Sequence, residues 1–333
     1  MDGLPVGFGS RKLLHFVPHR SPIGEAVRLK AGASAPPAGL ALSPPGRNQT
    51  GKPDRVEDVV TAIDDLQDRL VAWRSEGASL ALVPTMGALH EGHLSLLREA
   101  ASRAGRVVVS IFVNPAQFAP HEDFDRYPRG LAADLEKLGG SADLVFAPGV
   151  AEMYPKGFAT RIDVGGPSAG LETDFRPHFF GGVATVVAKL LLAVMPDMAV
   201  FGEKDYQQLL VIRRLTADLG LPVEIVGGAT VREGDGLALS SRNAYLSPED
   251  RRIAGKLNRI LAEAAQTVRD GMAIGLAETA ARDALLAAGF ASVDYVAIRD
   301  AQTLAPIETL AAPARILAAV KVGATRLIDN LPV

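Results

Sequence analysis

PTMGALHEGHLSLLREA, from Pro84 to Ala100, decides the fold. It continues the short apolar run LALVP and passes into the helix-like LSLLREAASRAG, so a buried strand hands over to a loop and the loop to a helix. His90 and His93 stand at that helix entrance one turn apart, where both imidazoles can face one ligand. The chain has only 6 histidines, so the pair needs an account. Gly92 between them lets a ligand approach the backbone. A helix N-terminus offers free N–H groups and a positive dipole end, and two imidazole donors beside it make a site for phosphate oxygens. A pair of surface or hydrogen-bonded histidines is the packing alternative. The spacing is not that of an HExxH zinc helix.

Outward from this stretch the same alternation recurs. RVVVSIFV, ADLVFAP, DMAVFG and PVEIVGG read as buried strands, separated by helix-like segments such as VATVVAKLLLAV and YQQLLVIRRLTADLG. The pattern predicts a parallel α/β sheet, with the ligand crevice beyond the carboxyl ends of its strands. Polar stretches sit at those ends: PTMGALHEGH, NPAQF, GEKDYQQ and GGATVREGDGLALSSRN. Upstream, VEDVVTAIDDLQDRLVAWRSEG reads as one amphipathic helix closed by Gly77. Downstream, Ser247 can cap a helix led by Pro248, with Glu249 and Asp250 favourable to its dipole. Two helices to about Gly289, strand-like SVDYVAI and the hairpin RILAAVKVGATRLIDNL predict a smaller α+β part with an antiparallel sheet. The expected division is a proline-rich extension over 1–53, a Rossmann-like domain over 54–230 and a C-terminal α+β lid over 231–333.

At 333 residues and 48% hydrophobic, the chain has length for about two domains. It contains no cysteine, which removes disulfides, thiolate catalysis and cysteine zinc sites, and suits a reducing cytosol. A net charge of -3 gives no global attraction to nucleic acid. The apolar run Val183–Met195 is interrupted by Lys189 and falls short of a membrane span, so it reads as a buried helix. The first 53 residues hold 8 of the 22 prolines and carry an excess of Arg and Lys over acids, a composition that disfavours packing.

Lys204 in GEKD follows a buried strand, where loops carry chemistry; Glu203 and Asp205 beside it allow an ordinary salt-bridged loop instead. In LSSRN, Ser240 and Ser241 place hydroxyls beside Arg242, whose charged fork suits phosphate; a stray surface arginine is the alternative. Gly227, Gly228, Gly234 and Gly236 would let this segment move over the site. Gln117 and Gln208 are neutral amides on two of the converging loops, suited to a hydroxylated substrate. Neither a Walker GxxxxGK[ST] nor a credible GxGxxG occurs, which disfavours P-loop phosphotransfer and dinucleotide oxidoreduction. What remains is a nucleotide site suited to attack on an α-phosphate with pyrophosphate leaving.

PTMGALHEGHLSLL, VVVSIFVNPAQF, FDRYPR, DLVFAP, VATVVAKLL, FGEKDYQQL and DGLALSSRNAYLS, in this order, closely resemble the pantothenate synthetase family from about Val56 to Pro332. The resemblance implies a dimeric, cytoplasmic ligase of the HIGH-type nucleotidyltransferase superfamily that uses ATP and Mg2+ to join pantoate to β-alanine, with no nucleic-acid or membrane partner. Pantothenate would then feed the coenzyme A pathway. Met86, Gly87, Ala88, Leu89, His90, Glu91, Gly92 and His93 would line the ATP site, with both histidines on the phosphates and His93 the customary catalytic histidine. Gly202, Glu203, Lys204, Asp205, Val231, Leu239, Ser240, Ser241 and Arg242 would complete it. Gln117 and Gln208 would hold pantoate, with Gln117 also touching β-alanine.

Two positions depart from the family pattern. In RPHFFGGV the customary histidine position holds Phe179, and a histidine sits one place earlier at His178. The acidic pair expected after YPR is reduced to Asp134, preceded by Ala133, leaving Asp134 as the implied magnesium ligand. The competing readings are a different nucleotidyl transferase, which would need a second basic cluster for a phosphate-bearing substrate, and an inactive nucleotide-binding homologue.

Overall fold

The computed structural model describes residues 58–119, 122 and 124–333; the expected extension over 1–53 lies outside them. Six strands, β1 (Asp58–Val60), β2 (Leu80–Thr85), β3 (Arg106–Ile111), β4 (Leu144–Phe146), β5 (Met198–Gly202) and β6 (Glu224–Gly228), form a parallel sheet ordered β1-β4-β3-β2-β5-β6. Helices α1 (Ile63–Ser75), α2 (Glu91–Arg103), α3 (Leu131–Leu138), α4 (Val150–Met153), α5 (Glu172–Phe175), α6 (Phe179–Val194) and α7 (Tyr206–Leu219) connect them. The strands read as unbroken apolar runs because both sheet faces are covered. Leu80 and Leu82 share one cluster with Leu66 and Leu70 of α1, Val187 of α6 and Leu209 of α7. Ala81 and Val83, pointing the other way, pack with Leu97 and Ala100 of α2 and Leu138 of α3.

The chain runs from β2 outward to β3 and β4, then returns to place β5 on the other side of β2. Ala81 pairs with Met198 and Leu82 with Ala199 across this reversal. Such a switch point opens a crevice at the carboxyl edge, here between the loop after β2 and the turn after β5.

One expectation is corrected. The helix predicted across Val56 to Gly77 begins later, at Ile63, and is preceded by a strand in which Asp58, Val59 and Val60 pair with Leu144, Val145 and Phe146. The consecutive β-branched valines satisfy an edge that β4 would otherwise leave open.

Past the sheet, α8 (Pro248–Ala254) is capped by the Ser247 side chain, which accepts from Asp250 N, with Pro248 opening the helix. Helices α9 (Leu257–Arg269) and α10 (Ile274–Ala287) cover one face of an antiparallel sheet of β7 (Ser292–Asp300), β8 (Ala314–Val322) and β9 (Thr325–Pro332). Ala297 and Leu317 pack instead into the cluster of α1, α6 and α7, so this small sheet also touches the larger unit's core. Among the described residues no helix is long and apolar enough to cross a membrane.

Gly182 in α6 lies directly on the Asn114–Gln117 loop: a Cβ there would fall inside the contact shell of the Ala116 carbonyl. Gly182→Ala should therefore destabilise by about 1–3 kcal/mol through overpacking, whereas Gly275→Ala, with nothing within 4 Å of the added carbon, should be neutral or stabilising. Denaturant midpoints of the two variants would compare them; equal midpoints would show that the loop yields to the methyl group.

Candidate active site

The chain leaves β2 through Gly87 and Ala88, both with positive φ (81° and 50°), a sharp reversal that brings the next peptides under α3. Asp134, 2% exposed, accepts from Ala88 N and Leu89 N at 3.0 and 2.7 Å. Lys137 Nζ donates to Leu89 O at 2.7 Å, and Thr85 Oγ1 accepts from Gly87 N at 3.3 Å. The loop is thus held by protein groups before any ligand arrives.

His90 is the N-cap of α2. Its Nδ1 accepts from Gly92 N at 3.1 Å, and His93 Nδ1 accepts from the His90 N–H at 3.3 Å, a capping box built from two imidazoles. Since each Nδ1 is an acceptor, the proton of each neutral ring sits on Nε2, which is left as a donor. The ring centroids are 4.1 Å apart. This arrangement also sets Gly92: a Cβ there would lie 2.8 Å from His90 Cε1, so the glycine makes room for the capping ring rather than for a ligand.

Burial pushes His90 down to about 4 and His93 to about 3; the Lys204 and Lys137 ammonium groups add to the shift at both, His90 adds to that of His93, and Asp205 opposes it at His90. Near neutral pH both rings are uncharged, and the cations beside them carry the positive charge.

Lys204 lies in the three-residue turn Glu203–Asp205 after β5, its side chain mostly enclosed and its Nζ 3.9 Å from Asp205 Oδ2. Ser241 Oγ donates to Ala88 O at 3.1 Å, which ties the Ser-Ser-Arg segment to the histidine loop across 153 residues. Ser240 Oγ accepts from Arg242 N at 3.3 Å, and the Arg242 guanidinium stands over the Tyr127 ring at 5.8 Å. Gln117 is buried, receiving Asn114 Nδ2 on its Oε1 at 3.1 Å and directing its Nε2 to Met86 Sδ at 2.8 Å.

These side chains surround one cavity of about 850 Å³. Met86, His90, Gly92 and His93 line it from the first loop; Gly202, Lys204, Asp205 and Gln208 from the β5 edge; Val231, Leu239, Ser240, Ser241 and Arg242 from the last segment; and Gln117 from the second loop. Other expected positions do not reach it. Leu89 is fully buried in the core between α2 and α3, Glu91 pairs with Arg98, and Glu203 faces Arg315. Gly87 and Ala88 take part through their backbone alone.

The magnesium reading of Asp134 does not fit this geometry. Both its oxygens are spent on the loop's N–H groups and it does not border the cavity. Among the described residues no group of three or more His, Cys, Asp or Glu is arranged to hold a metal ion. The acidic residue is a brace for the histidine loop.

Several cavity residues escaped sequence reasoning. Arg176 donates to both Glu122 oxygens at 2.7 and 2.6 Å and to Gln117 O at 3.2 Å, and it lies 3.9 Å over the Phe179 ring. Phe179, the departure from the family pattern, thus becomes a platform for this guanidinium, while the neighbouring His178 has a buried Nε2 with no hydrogen-bond partner. Glu172 takes Arg326 at 2.8 Å on each oxygen and the Tyr295 hydroxyl at 2.9 Å. An arginine in RPHFF was a visible signal; the β7 and β9 side chains that reach Glu172 beside it were not.

Fold and site together define an α/β nucleotide-binding enzyme of the HIGH type: a parallel sheet with a switch-point crevice, two histidines at a helix entrance and cations from separate loops around the same cavity. The family model described as Pantoate-beta-alanine ligase matches residues 58–332. The chain belongs to that family, and it is a ligase of pantoate and β-alanine. It is 58% identical to the pantothenate synthetase of Mesorhizobium japonicum over 277 residues, 83% of this chain and 98% of the relative. The crystal structure of pantothenate synthetase from Thermus thermophilus superposes with a TM-score of 0.77 at 50% identity, covering 82% of this chain and 98% of that one. A pantoate-β-alanine ligase from Francisella tularensis, complexed with β-γ ATP and β-alanine, gives 0.69 at 33% identity over 83% of this chain and 97% of that one.

Two expectations test this geometry. Asp134→Asn should cost about tenfold in kcat/KM for ATP, by exchanging an acceptor for a donor against a backbone N–H, with the magnesium concentration for half-maximal rate unchanged; a shifted requirement would return Asp134 to the metal. The second concerns pH. The unfolded chain protonates both rings below about 6.5, while the fold refuses those protons down to about 4 and 3. The unfolded state then binds more protons, so stability should fall as pH drops from about 6.5 toward 4. His90→Asn, which keeps a capping side chain, should flatten that slope in urea titrations of the ligand-free protein; an unchanged slope would mean that the His90 ring is charged in the fold.

Proposed function

We propose that this chain makes pantothenate in two steps, in which the residues around the cavity hold the following roles. The pantoate carboxylate attacks the α-phosphorus of ATP; the bond to the β-phosphate breaks, releasing pyrophosphate and leaving pantoyl adenylate. The unprotonated amine of β-alanine then attacks the acyl carbon, AMP leaves, and the amine gives up a proton as the amide forms.

The observation that carries this reading is the division of the cavity into a cationic, donor-rich side and a side whose arginines, Arg176 and Arg326, are matched by Glu122, Glu172 and Asp294. On the first, His90 and His93 direct Nε2–H donors at phosphate oxygens from a helix N-terminus, and Lys204 and Arg242 neutralise charge that builds on the departing pyrophosphate. Ser240 and Ser241 shape the segment that presents Arg242. On the second, Gln117 and Gln208 offer neutral amides, and Val183, Val186 and Val187 of α6 form an apolar wall. A small hydroxy acid with a branched carbon skeleton suits that pairing. A phosphate-bearing acid, as the rival transferase would need, does not.

Magnesium would travel with the triphosphate, held by phosphate oxygens and water rather than by Asp134. The part of the chain from 231 onward serves as a lid over the Rossmann-like part of 54–230; its contribution of Leu239 to Arg242 to the cavity supports this. The enzyme works as a cytoplasmic homodimer, a reading supported by the absence of cysteine and by the exposed apolar Val71 of α1, Leu192 of α6 and Met195 just past the end of α6, which suit a partner surface.

With pantoate and no β-alanine, the enzyme should exchange labelled pyrophosphate into ATP, because adenylation is reversible while the acyl adenylate stays bound. Lys204→Ala and His93→Ala should each slow exchange by about 10²-fold or more, the scale for one preorganised donor. Exchange that requires the amine, or release of ADP and phosphate, would overturn the stepwise mechanism; near-normal exchange in either folded variant would remove that residue from the catalytic set.

A further inference from the structure

Strand β9 reaches the site from the far end of the chain, and two of its consecutive residues, Asp329 and Asn330, are each 3% exposed. Asn330 Nδ2 donates to the carbonyl oxygens of Glu203 at 3.0 Å and Lys204 at 2.8 Å. Its Oδ1 accepts from Arg315 Nε, and the Arg315 guanidinium is held over the Tyr206 ring at 3.8 Å. Both N–H donors of the Asn330 amide are therefore taken by protein, and its oxygen accepts from Arg315.

The two carbonyls it holds belong to the two peptide units flanking Lys204. Peptide units are planar and trans, so fixing both fixes φ and ψ of the residue between them and with these the direction of its Cα–Cβ bond. A lysine stem is long and rotatable, and its ammonium can be preorganised only if its root is. The turn of Glu203–Asp205 is too short to supply that rigidity through its own ladder. Beside Asn330, Asp329 receives the Arg232 fork at 2.7 and 2.9 Å, and Arg232 donates onward to Gly236 O at 3.0 Å. Neighbouring residues of one strand thus hold both the Lys204 turn and the start of the segment that carries Ser240 to Arg242.

We infer that Asn330 is a positioning residue for adenylation: it aims Lys204 at the phosphates by clamping the two peptides around it. The inference rests on the catalytic reading of Lys204, and its test separates the two. In the full-length chain, pyrophosphate exchange is measured with ATP and pantoate for Lys204→Ala, Asn330→Ala and the double variant. Asn330→Ala should lower the exchange kcat by about 10- to 100-fold, the cost of misplacing a catalytic group by an ångström or so, while KM for pantoate stays within about 2-fold. In the Lys204→Ala background the same change should cost nothing further, because the residue it positions is gone. Independent, multiplying losses in the double variant, or an unchanged kcat in Asn330→Ala, would overturn the inference. Lys204→Ala exchanging at the parent rate would remove the reading beneath it and the inference with it. Should Asn330→Ala fail to fold, Asn330→Ser, whose single hydroxyl can serve only one carbonyl, decides by the same comparison.

Discussion

The pairing of β2 with β5 is the constraint on which the site depends. Because the chain builds outward from β2 to β4 and only then lays β5 against β2's other edge, the two loops at that junction cannot close over one another. One brings a helix N-terminus with His90 and His93, and the other brings Lys204. Everything else around the cavity, from the Asn114–Gln117 turn to the Ser-Ser-Arg segment, is arranged about a crevice that the strand order has already opened.

Within the crevice the charge is divided in a way that the residue types alone do not announce. The histidines are neutral, since burial and nearby ammonium groups make a further positive charge costly. Their Nδ1 atoms are spent on capping, which leaves both Nε2–H groups committed as donors without a tautomeric choice. Positive charge comes from Lys204 and Arg242 on separate loops. In the reading proposed above, such a site would stabilise a triphosphate without gathering its cations into one self-repelling cluster, and it would need little rearrangement as charge develops.

The other side of the cavity is organised by an alternating chain of charges, Glu122–Arg176–Glu172–Arg326–Asp294, that passes from the loop after β3 to the C-terminal sheet. Tyr295 joins it through Glu172, and its hydroxyl is pushed well above its ordinary value by burial and then by that carboxylate. Enclosed ion pairs add little net stability, but each member is costly to leave unpaired, so the chain specifies one docking of β7 and β9 against the α5–α6 region. The small sheet is thereby a structural part of the cavity wall.

The sequence by itself determined the sheet, the chemistry-bearing loops and their order, because apolar runs, glycines and cap residues are local signals whose period the backbone imposes. HEGH, GEKD and LSSRN were legible for that reason, as were the Ser247 cap and the hairpin in RILAAVKVGATRLIDNL. Tertiary structure decided the rest. It took Asp134 from a metal to the backbone of Ala88 and Leu89, and it gave Gly92 to the His90 ring. It also made Val59 and Val60 a strand by offering them the edge of β4. Arg326 and Asn330 lie 154 and 126 residues from the groups they hold, Glu172 and the Lys204 carbonyl. No periodicity spans such separations, since a hydrogen bond across them is specified by the packed positions of two elements and not by the pattern along either one.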